Sequence, residues 1–254
     1  MGLFRLKGGV ARADTDRVPM ALRHLTRKLL LAAVLAAVLA PAPAAADPDR
    51  FNETMLSFNQ WFLRHVMEPV GRGWNFVVPK FFQRRVVDFM SNTEEPRDVI
   101  NSVLQWKPRR AGIHAGRFLL NTTFGIAGFY DVSTRNLDFI APPETVDETF
   151  GVWRIPPGPY FILPVVGEFT ARSFVGWVGD GFLNPISYIT GAPVLVPTIS
   201  AYVVRNVNLL AQTMPSPWAP EGDWVAYEQS RFEFKPYEVG RELFLQDQAD
   251  RVAE

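Results

Sequence analysis

Few residues in this 254-residue chain have the types and spacing that chemistry needs. Beyond His24, the histidines are His65 and His114, and both fall on the polar side of amphipathic segments, where ordinary solvation accounts for them. Two adjacent carboxylate pairs, Glu94-Glu95 and Asp147-Glu148, have the composition of an acid–base or cation site. The first follows Asn92 and Thr93, either of which can cap a helix, and acidic residues there complement the positive end of the helix dipole. The second lies in a proline-containing stretch and reads as exposed loop charge. An activated hydroxyl needs a base beside it, and Ser57, Ser102 and Ser173 have no such surroundings. There is no nucleophile elbow, phosphate loop, dinucleotide fingerprint or H-E-x-x-H zinc motif. Cysteine is absent from these residues, which removes disulfides, thiolate metal sites and cysteine nucleophiles. The expectation is a protein that is not an enzyme and uses no cofactor and no metal.

What such a chain does must then come from its elements. The hydrophobic period is helical almost everywhere. Phe51, Met55, Phe58, Phe62 and Val66 follow one another at helical steps and form one apolar stripe. Pro79 is placed to open a second helix, with Phe82, Val86 and Phe89 on one side and Lys80, Arg84 and Asp88 on the other. SNTEEPRDVINSVLQW predicts a further helix start, with Pro96 in its first turn. Pro108 opens another helix, which Gly125 and Gly128 can end. From Asp131 to Gly167 a long proline-containing loop is expected, and loops of that length inside a domain are usually functional. Thr170 can cap a helix whose Gly176, Gly179 and Gly181 permit close approach to a neighbour or a lipid. A helix is expected over about Ile199 to Gln212, and a polar one over about Trp224 to Val252, interrupted at Pro236. The reading is all-α: residues 1–46 a leader and cleaved signal, 47–213 one helical domain, 214–254 a Pro-rich break and C-terminal helical tail.

Between Phe150 and Gly167 the chain reads FGVWRIPPGPYFILPVVG. Pro156, Pro157, Pro159 and Pro164 lack amide donors, so neither a helix nor a strand ladder is expected there. So much aromatic and aliphatic surface on irregular backbone suggests a segment that packs under, or lines a path for, something apolar. The N-terminal part reads as an export signal. Met20 opens a basic stretch, Leu29 to Ala40 is apolar, and Ala44-Ala45-Ala46 predicts cleavage between Ala46 and Asp47. Residues 1–19 look unlike the start of a signal and read as an over-extended gene start. Seven of the 26 basic residues but only two of the 26 acidic ones precede Asp47, leaving 19 against 24. That acidic balance argues against a nucleic-acid partner. All seven tryptophans and nineteen of the twenty phenylalanines follow the signal, and large aromatics occupy more than one face of a helix, as with Trp61 beside Phe62 and Phe81 beside Phe82. Helices lying in a membrane interface use such residues.

The order of motifs resembles the MlaA (VacJ) family of outer-membrane phospholipid-transport proteins. The stretches that carry it are DPDRFNETMLSFN, VVPKFF, SNTEEPRDVINSVLQWKP, GRFLLNTTFGIAGFYDV and ETFGVWRIPPGPYFILPVVGEFTARS, running from Asp47 to Ser173, and the resemblance covers about Asp47 to Thr213. The matching positions are Phe51, Asn52, Phe58, Asn59, Asn92, Glu95, Pro96, Arg117, Phe118, Asn121, Thr122, Gly125, Asp131, Phe150, Gly151, Gly158, Pro159, Tyr160, Leu163, Pro164 and Gly167.

The resemblance implies a ring or disc of short amphipathic helices in the outer membrane, with a polar passage through which mislocalised glycerophospholipids leave the outer leaflet for a periplasmic carrier protein. It implies a trimeric porin as membrane partner, and no cofactor. It makes Asn136–Phe150 a hairpin beside the passage and 151–167 part of its wall. Arg154, Tyr160, Arg172 and Asp180 are the candidates to face the lipid. Two departures stand out. Ala46-Asp47 replaces the family's lipidated cysteine, so amphipathic helices rather than an acyl anchor are expected to hold the protein. Ser173 follows Arg172 where the family tends to an acidic residue. The competing expectation is a soluble periplasmic scaffold whose aromatic faces dock protein.

Overall fold

A computed structural model describes residues 47–189, 194–230 and 235–254. The expected signal, including Ala46, lies outside these residues. Asp47 lies inside and caps the first helix, its carboxylate accepting from the Asp49 amide at 3.1 Å. That helix, α1 (Pro48–Phe62), runs through a π-helical turn (Leu63–Met67) into α2 (Glu68–Val77). There follow α3 (Lys80–Leu104), α4 (Pro108–Thr123), α5 (Val132–Leu137) and α6 (Val146–Val152). A hairpin of β1 (Tyr160–Leu163) and β2 (Gly167–Thr170) leads into α7 (Ala171–Leu183), then α8 (Ile186–Ile189), α9 (Leu195–Thr213), α10 (Glu221–Ser230) and α11 (Tyr237–Ala253). The chain is helical apart from one two-stranded sheet among the described residues, as the periodicity predicts. No helix of the described residues is long and apolar enough to cross a membrane.

Helix starts follow local chemistry. α4 begins at Pro108, where the missing amide costs nothing. Thr170 caps α7 in a capping box with Ser173, so Ser173 serves the helix terminus. The glycines of α7 approach protein neighbours: a Cβ at Gly176 would meet the Asp147 backbone at 2.6 Å, and one at Gly181 would meet Thr198.

Three local expectations fail for tertiary reasons. SNTEEP does not start a helix; it lies inside the 25-residue α3, with Pro96 in its interior. Proline there forfeits one backbone bond, and the helix continues because Glu95 is held by ion pairs to His114 and Arg117 of α4 and Asp98 accepts from the Glu144 amide. The long loop over 131–167 is interrupted by α5 and α6, and α6 opens with a capping box between Thr145 and Glu148. Asn136–Phe150 is accordingly no β-hairpin. The 151–167 segment does include a strand: Tyr160–Leu163 fits between Pro159 and Pro164 and pairs antiparallel with Gly167–Thr170. Pro164 and Val165 fall in the connecting turn, and Gly167 enters β2 at φ +93°.

The outer edge of β1 is completed by side chains. Asn52 Oδ1 accepts from the Ile162 amide at 2.9 Å, and its Nδ2 donates to the Tyr160 carbonyl at 3.5 Å. Two helical turns on, Asn59 repeats the pattern, accepting from the Val165 amide at 2.8 Å and donating to the Leu163 carbonyl at 2.9 Å. Two amides on one helix face thus act as the missing neighbouring strand. Beneath them Tyr160, Ile162 and Tyr237 form a small apolar core with Met55, Leu56, Phe244 and Leu245.

Polarity elsewhere is inverted. Gln83, Asn101, Ser133 and Asn208 have no exposed surface, while Trp106 is 89 % exposed, Phe124 70 %, Ile126 69 % and Phe76 65 %. In α1, Asn52 is buried and Phe51 lies outside. Many of the buried groups bond one another: Asn208 joins Trp74 Nε1 to the Gln83 carbonyl, and Asn101 joins Thr149 to the Glu144 carbonyl.

Candidate functional site

The most charged interior region is built on α3. Glu95, buried, takes His114 Nδ1 on one oxygen at 2.7 Å and Arg117 Nε on the other at 2.5 Å. His114 Nε2 lies 3.1 Å from the Pro142 carbonyl, so both ring nitrogens face oxygen acceptors. Arg117 continues to the Phe139 carbonyl at 2.9 Å. Asp98, one turn along, pairs with Arg97 at 2.7 Å and accepts from the Glu144 amide at 3.3 Å. Burial pushes the Asp98 carboxyl up to about 6, against the pull of Arg97. Glu144 is itself buried between Arg110 at 2.5 Å and Lys107 at 3.2 Å. The 138–145 segment is thereby fastened to α3 and α4 through its carbonyls and Glu144.

Three expectations from the sequence are overturned here. His114 is not on a solvated face; it is 1 % exposed. Glu94-Glu95 is not helix-terminal charge, and Asp147-Glu148 is not exposed loop charge: both Asp147 and Glu148 are buried at the start of α6. Glu144 carried no signal in the sequence, because its partners lie more than thirty residues away and its own neighbours are apolar, proline or a capping threonine. The donor atoms of Glu95, Asp98 and His114 lie within 4.8 Å of one another, close enough to hold a cation. Their oxygens and nitrogens are already engaged with Arg97, Arg117, one another and backbone groups, and the guanidinium groups supply the countercharge. The chemistry is that of an ion-pair network.

On the far side of α3 a cavity of about 380 Å³ opens between α3, α7 and α9. Glu94, Arg97, Asp180, Tyr202, Arg205 and Asn206 are among its polar walls, and Trp177 and Leu209 among its apolar ones. Asp180 Oδ1 accepts from the Val146 amide at 2.9 Å. Burial pushes its carboxyl up to about 7, with Arg97 opposing. Because this folded value lies above the usual carboxylate value of ~3.9, the protonated form favours the fold. That contribution is complete below pH ~4 and is lost as pH rises through about 7. Asp180→Asn keeps the acceptor for Val146 without the charge. The variant is expected to match the parent at pH 4 and to exceed it at pH 8 by on the order of 1–4 kcal/mol, read by denaturant unfolding at the two pH values. Equal stability differences at both pH values would contradict this account.

Residues 45–251 match the family model described as MlaA lipoprotein. This chain belongs to the MlaA family. It is 35 % identical over 205 residues to the Escherichia coli (strain K12) protein named Intermembrane phospholipid transport system lipoprotein MlaA, a match covering 79 % of this chain and 76 % of that one. The Haemophilus influenzae protein of the same name is 34 % identical over 148 residues, 57 % of this chain and 59 % of its own length, so the chain spans less than two thirds of that relative. A solved structure described as "Structural basis for maintenance of bacterial outer membrane lipid asymmetry" has a TM-score of 0.66 at 29 % identity, over 82 % of this chain and 99 % of that one.

The MlaA-family motif positions are mostly fasteners. Asn52 and Asn59 hold β1, and Glu95 and Arg117 form the buried pair. Asn121 donates to Asp131 Oδ1 at 3.1 Å and accepts from the Ser133 amide, while Asp131 caps α5. Asn92 donates to Thr122 at 3.0 Å and lies against Gly128, where a Cβ would meet Nδ2 at 2.4 Å. Gly151 faces Val252, so α11 packs on α6 at a motif glycine. Of the four lipid-facing candidates, only Asp180 lines the cavity. Arg154 is exposed beyond α6 at φ +64°. Tyr160 is buried in the apolar core, its hydroxyl donating to Glu168 at 2.9 Å. Arg172 is held by Asp147 at 2.7 Å and the Ile155 carbonyl at 3.1 Å. Arg172 and Asp180 thus bond adjacent residues, Asp147 and Val146, at the start of α6.

Proposed function

We propose that this MlaA-family protein lets mislocalised glycerophospholipids leave the outer leaflet of the outer membrane for a periplasmic carrier protein, and so maintains lipid asymmetry. The observation that carries the reading is the inverted polarity: amides, carboxylates and guanidiniums lie inside, while Phe, Trp, Ile and Val side chains lie outside. An apolar exterior of this extent belongs against another apolar phase. Each large side chain moved from water into lipid contributes about 1.5–3 kcal/mol, so a handful, such as Phe51, Phe58, Trp61, Phe81 and Phe82, can hold the protein at a leaflet without an acyl chain. The polar interior supplies the other half of the function. A headgroup dragged through hydrocarbon loses its solvation without compensation, and a route lined by hydrogen-bonding groups lowers that barrier. The reading needs no bond-making step, so the protein acts as a conduit rather than an enzyme. A trimeric porin is the proposed membrane partner.

The test is fractionation combined with surface-lipid labelling. The protein is expected in the outer-membrane fraction, and its deletion is expected to raise phospholipid on the cell surface. Recovery in the soluble periplasmic fraction, with surface lipid unchanged in the deletion strain, would overturn the proposal in favour of a periplasmic scaffold.

A further inference from the structure

We propose that the cavity between α3, α7 and α9 is a headgroup site for a zwitterionic aminophospholipid, Arg205 taking the phosphate and Asp180 the primary ammonium. The inference rests on the lipid-transport reading above and adds to it the chemistry that would choose among lipids.

The walls carry opposite charges that are incompletely matched within the protein. Arg205 sits on α9, and one of its terminal nitrogens meets Glu94. Its side chain is 34 % exposed, and Glu94 is its sole ion partner among the described residues. A guanidinium has five N–H donors in a planar fork suited to phosphate, so most of this one is free for a ligand. Arg97, by contrast, is committed to Asp98 at 2.7 Å and has Glu94 at 4.0 Å. On α7, Asp180 accepts from the Val146 amide and forms no ion pair within 4.0 Å among the described residues, Arg97 acting on it from farther away. A partly buried carboxylate without a contacting ion partner is costly, and an arriving ammonium adds the close countercharge that Arg97 supplies only from farther away.

The remaining lining fits the same ligand. Asn184, Ser187 and Thr198 offer neutral polar contacts, and Met90 offers apolar surface for the glycerol end. The volume of about 380 Å³ lies within the ~300–1,000 Å³ usual for small-molecule sites. A glycerol headgroup brings phosphate for Arg205 and nothing cationic for Asp180. A trimethylammonium headgroup brings charge without N–H donors. Phosphatidylethanolamine supplies both, and so does free phosphoethanolamine, which shares the chemistry without the acyl chains.

The experiment uses the full chain purified in mild detergent and mixed with vesicles holding equal phosphatidylethanolamine and phosphatidylglycerol, with retained lipid measured by mass spectrometry. One additional charge-assisted hydrogen bond corresponds to about tenfold enrichment of phosphatidylethanolamine. Asp180→Asn, which preserves the Val146 contact, should bring the ratio near one by lowering retained phosphatidylethanolamine while phosphatidylglycerol is retained as before. Arg205→Gln should lower both lipids, and Arg205→Lys should restore them. Displacement of the bound lipid by millimolar free phosphoethanolamine would assign the site to the headgroup alone. A preference that survives this competitor would assign it to the intact lipid; both outcomes uphold the proposal. Retention in the ratio offered, or a preference unchanged in Asp180→Asn, would overturn it and leave the transport reading standing. No retained lipid at all would remove both.

Discussion

Glu95→Ala is expected to lower stability by about 3–5 kcal/mol, because it leaves a buried imidazole and a partly buried guanidinium without their anion. Glu95 is 3 % exposed and holds His114 on one oxygen and Arg117 on the other. Against a typical total of ~5–15 kcal/mol, that loss is enough to deplete the folded protein in cells. Glu95→Gln retains the shape and part of the hydrogen bonding, so a smaller loss is expected. Denaturant unfolding of the parent and both variants in one detergent gives the comparison. A change under about 1 kcal/mol for Glu95→Ala, the range of exposed ion pairs, would show that the network contributes little to the fold. Because Arg117 also reaches the Phe139 carbonyl and His114 the Pro142 carbonyl, the 138–145 segment should loosen in the same variant. Faster amide exchange there is the local readout.

The second large effect is expected at the edge of the hairpin. Asn52→Ala strands the Ile162 amide and the Tyr160 carbonyl, and also removes a 3.1 Å contact with the Tyr237 hydroxyl. An orphaned buried group costs about 1–3 kcal/mol, and Ile162 has no exposed surface at all. A loss of about 2–4 kcal/mol is therefore expected for Asn52→Ala. Asn59→Ala, at a half-buried position where water can substitute, should cost less, about 1–2 kcal/mol. Hydrogen exchange distinguishes this account from general destabilisation. In Asn52→Ala the Ile162 amide should exchange faster than the amides of α4, and in Asn59→Ala the Val165 amide should be the one affected. Uniform acceleration along the chain would refute the proposed pairing.

These two sites show where sequence reading succeeds and where it stops. Pro108 and Thr170 were legible as helix starts because capping is local: the residue and the groups it satisfies lie within one turn. The F-N pairs at 51–52 and 58–59 were legible as a motif, but their partners lie more than a hundred residues along the chain. Pro96 was misread for the same reason. A proline next to two acids is a strong local start signal, and only the ion pairs reaching α4 explain why the helix runs through it. Tyr160–Leu163 was passed over because four residues between prolines make a poor strand alone. They become one when Gly167–Thr170 pairs on one edge and two asparagine amides on the other.

By itself, then, the sequence determined a helical chain of short amphipathic elements, no recognisable catalytic constellation, and membership of one family through motif order. It also determined that most helices before the polar C-terminal tail have an apolar and a polar face, since a period of 3.6 residues separates them whatever surrounds the helix. Which face lies inside was decided by the tertiary structure alone. A stripe of Phe51 and Phe58 is equally compatible with a buried core and a lipid-facing rim, because periodicity records a difference between faces and carries no record of the medium beyond them. The fold resolves it by burying Asn52 and Glu95 among distant donors and acceptors, and by leaving the aromatic side chains on the outside.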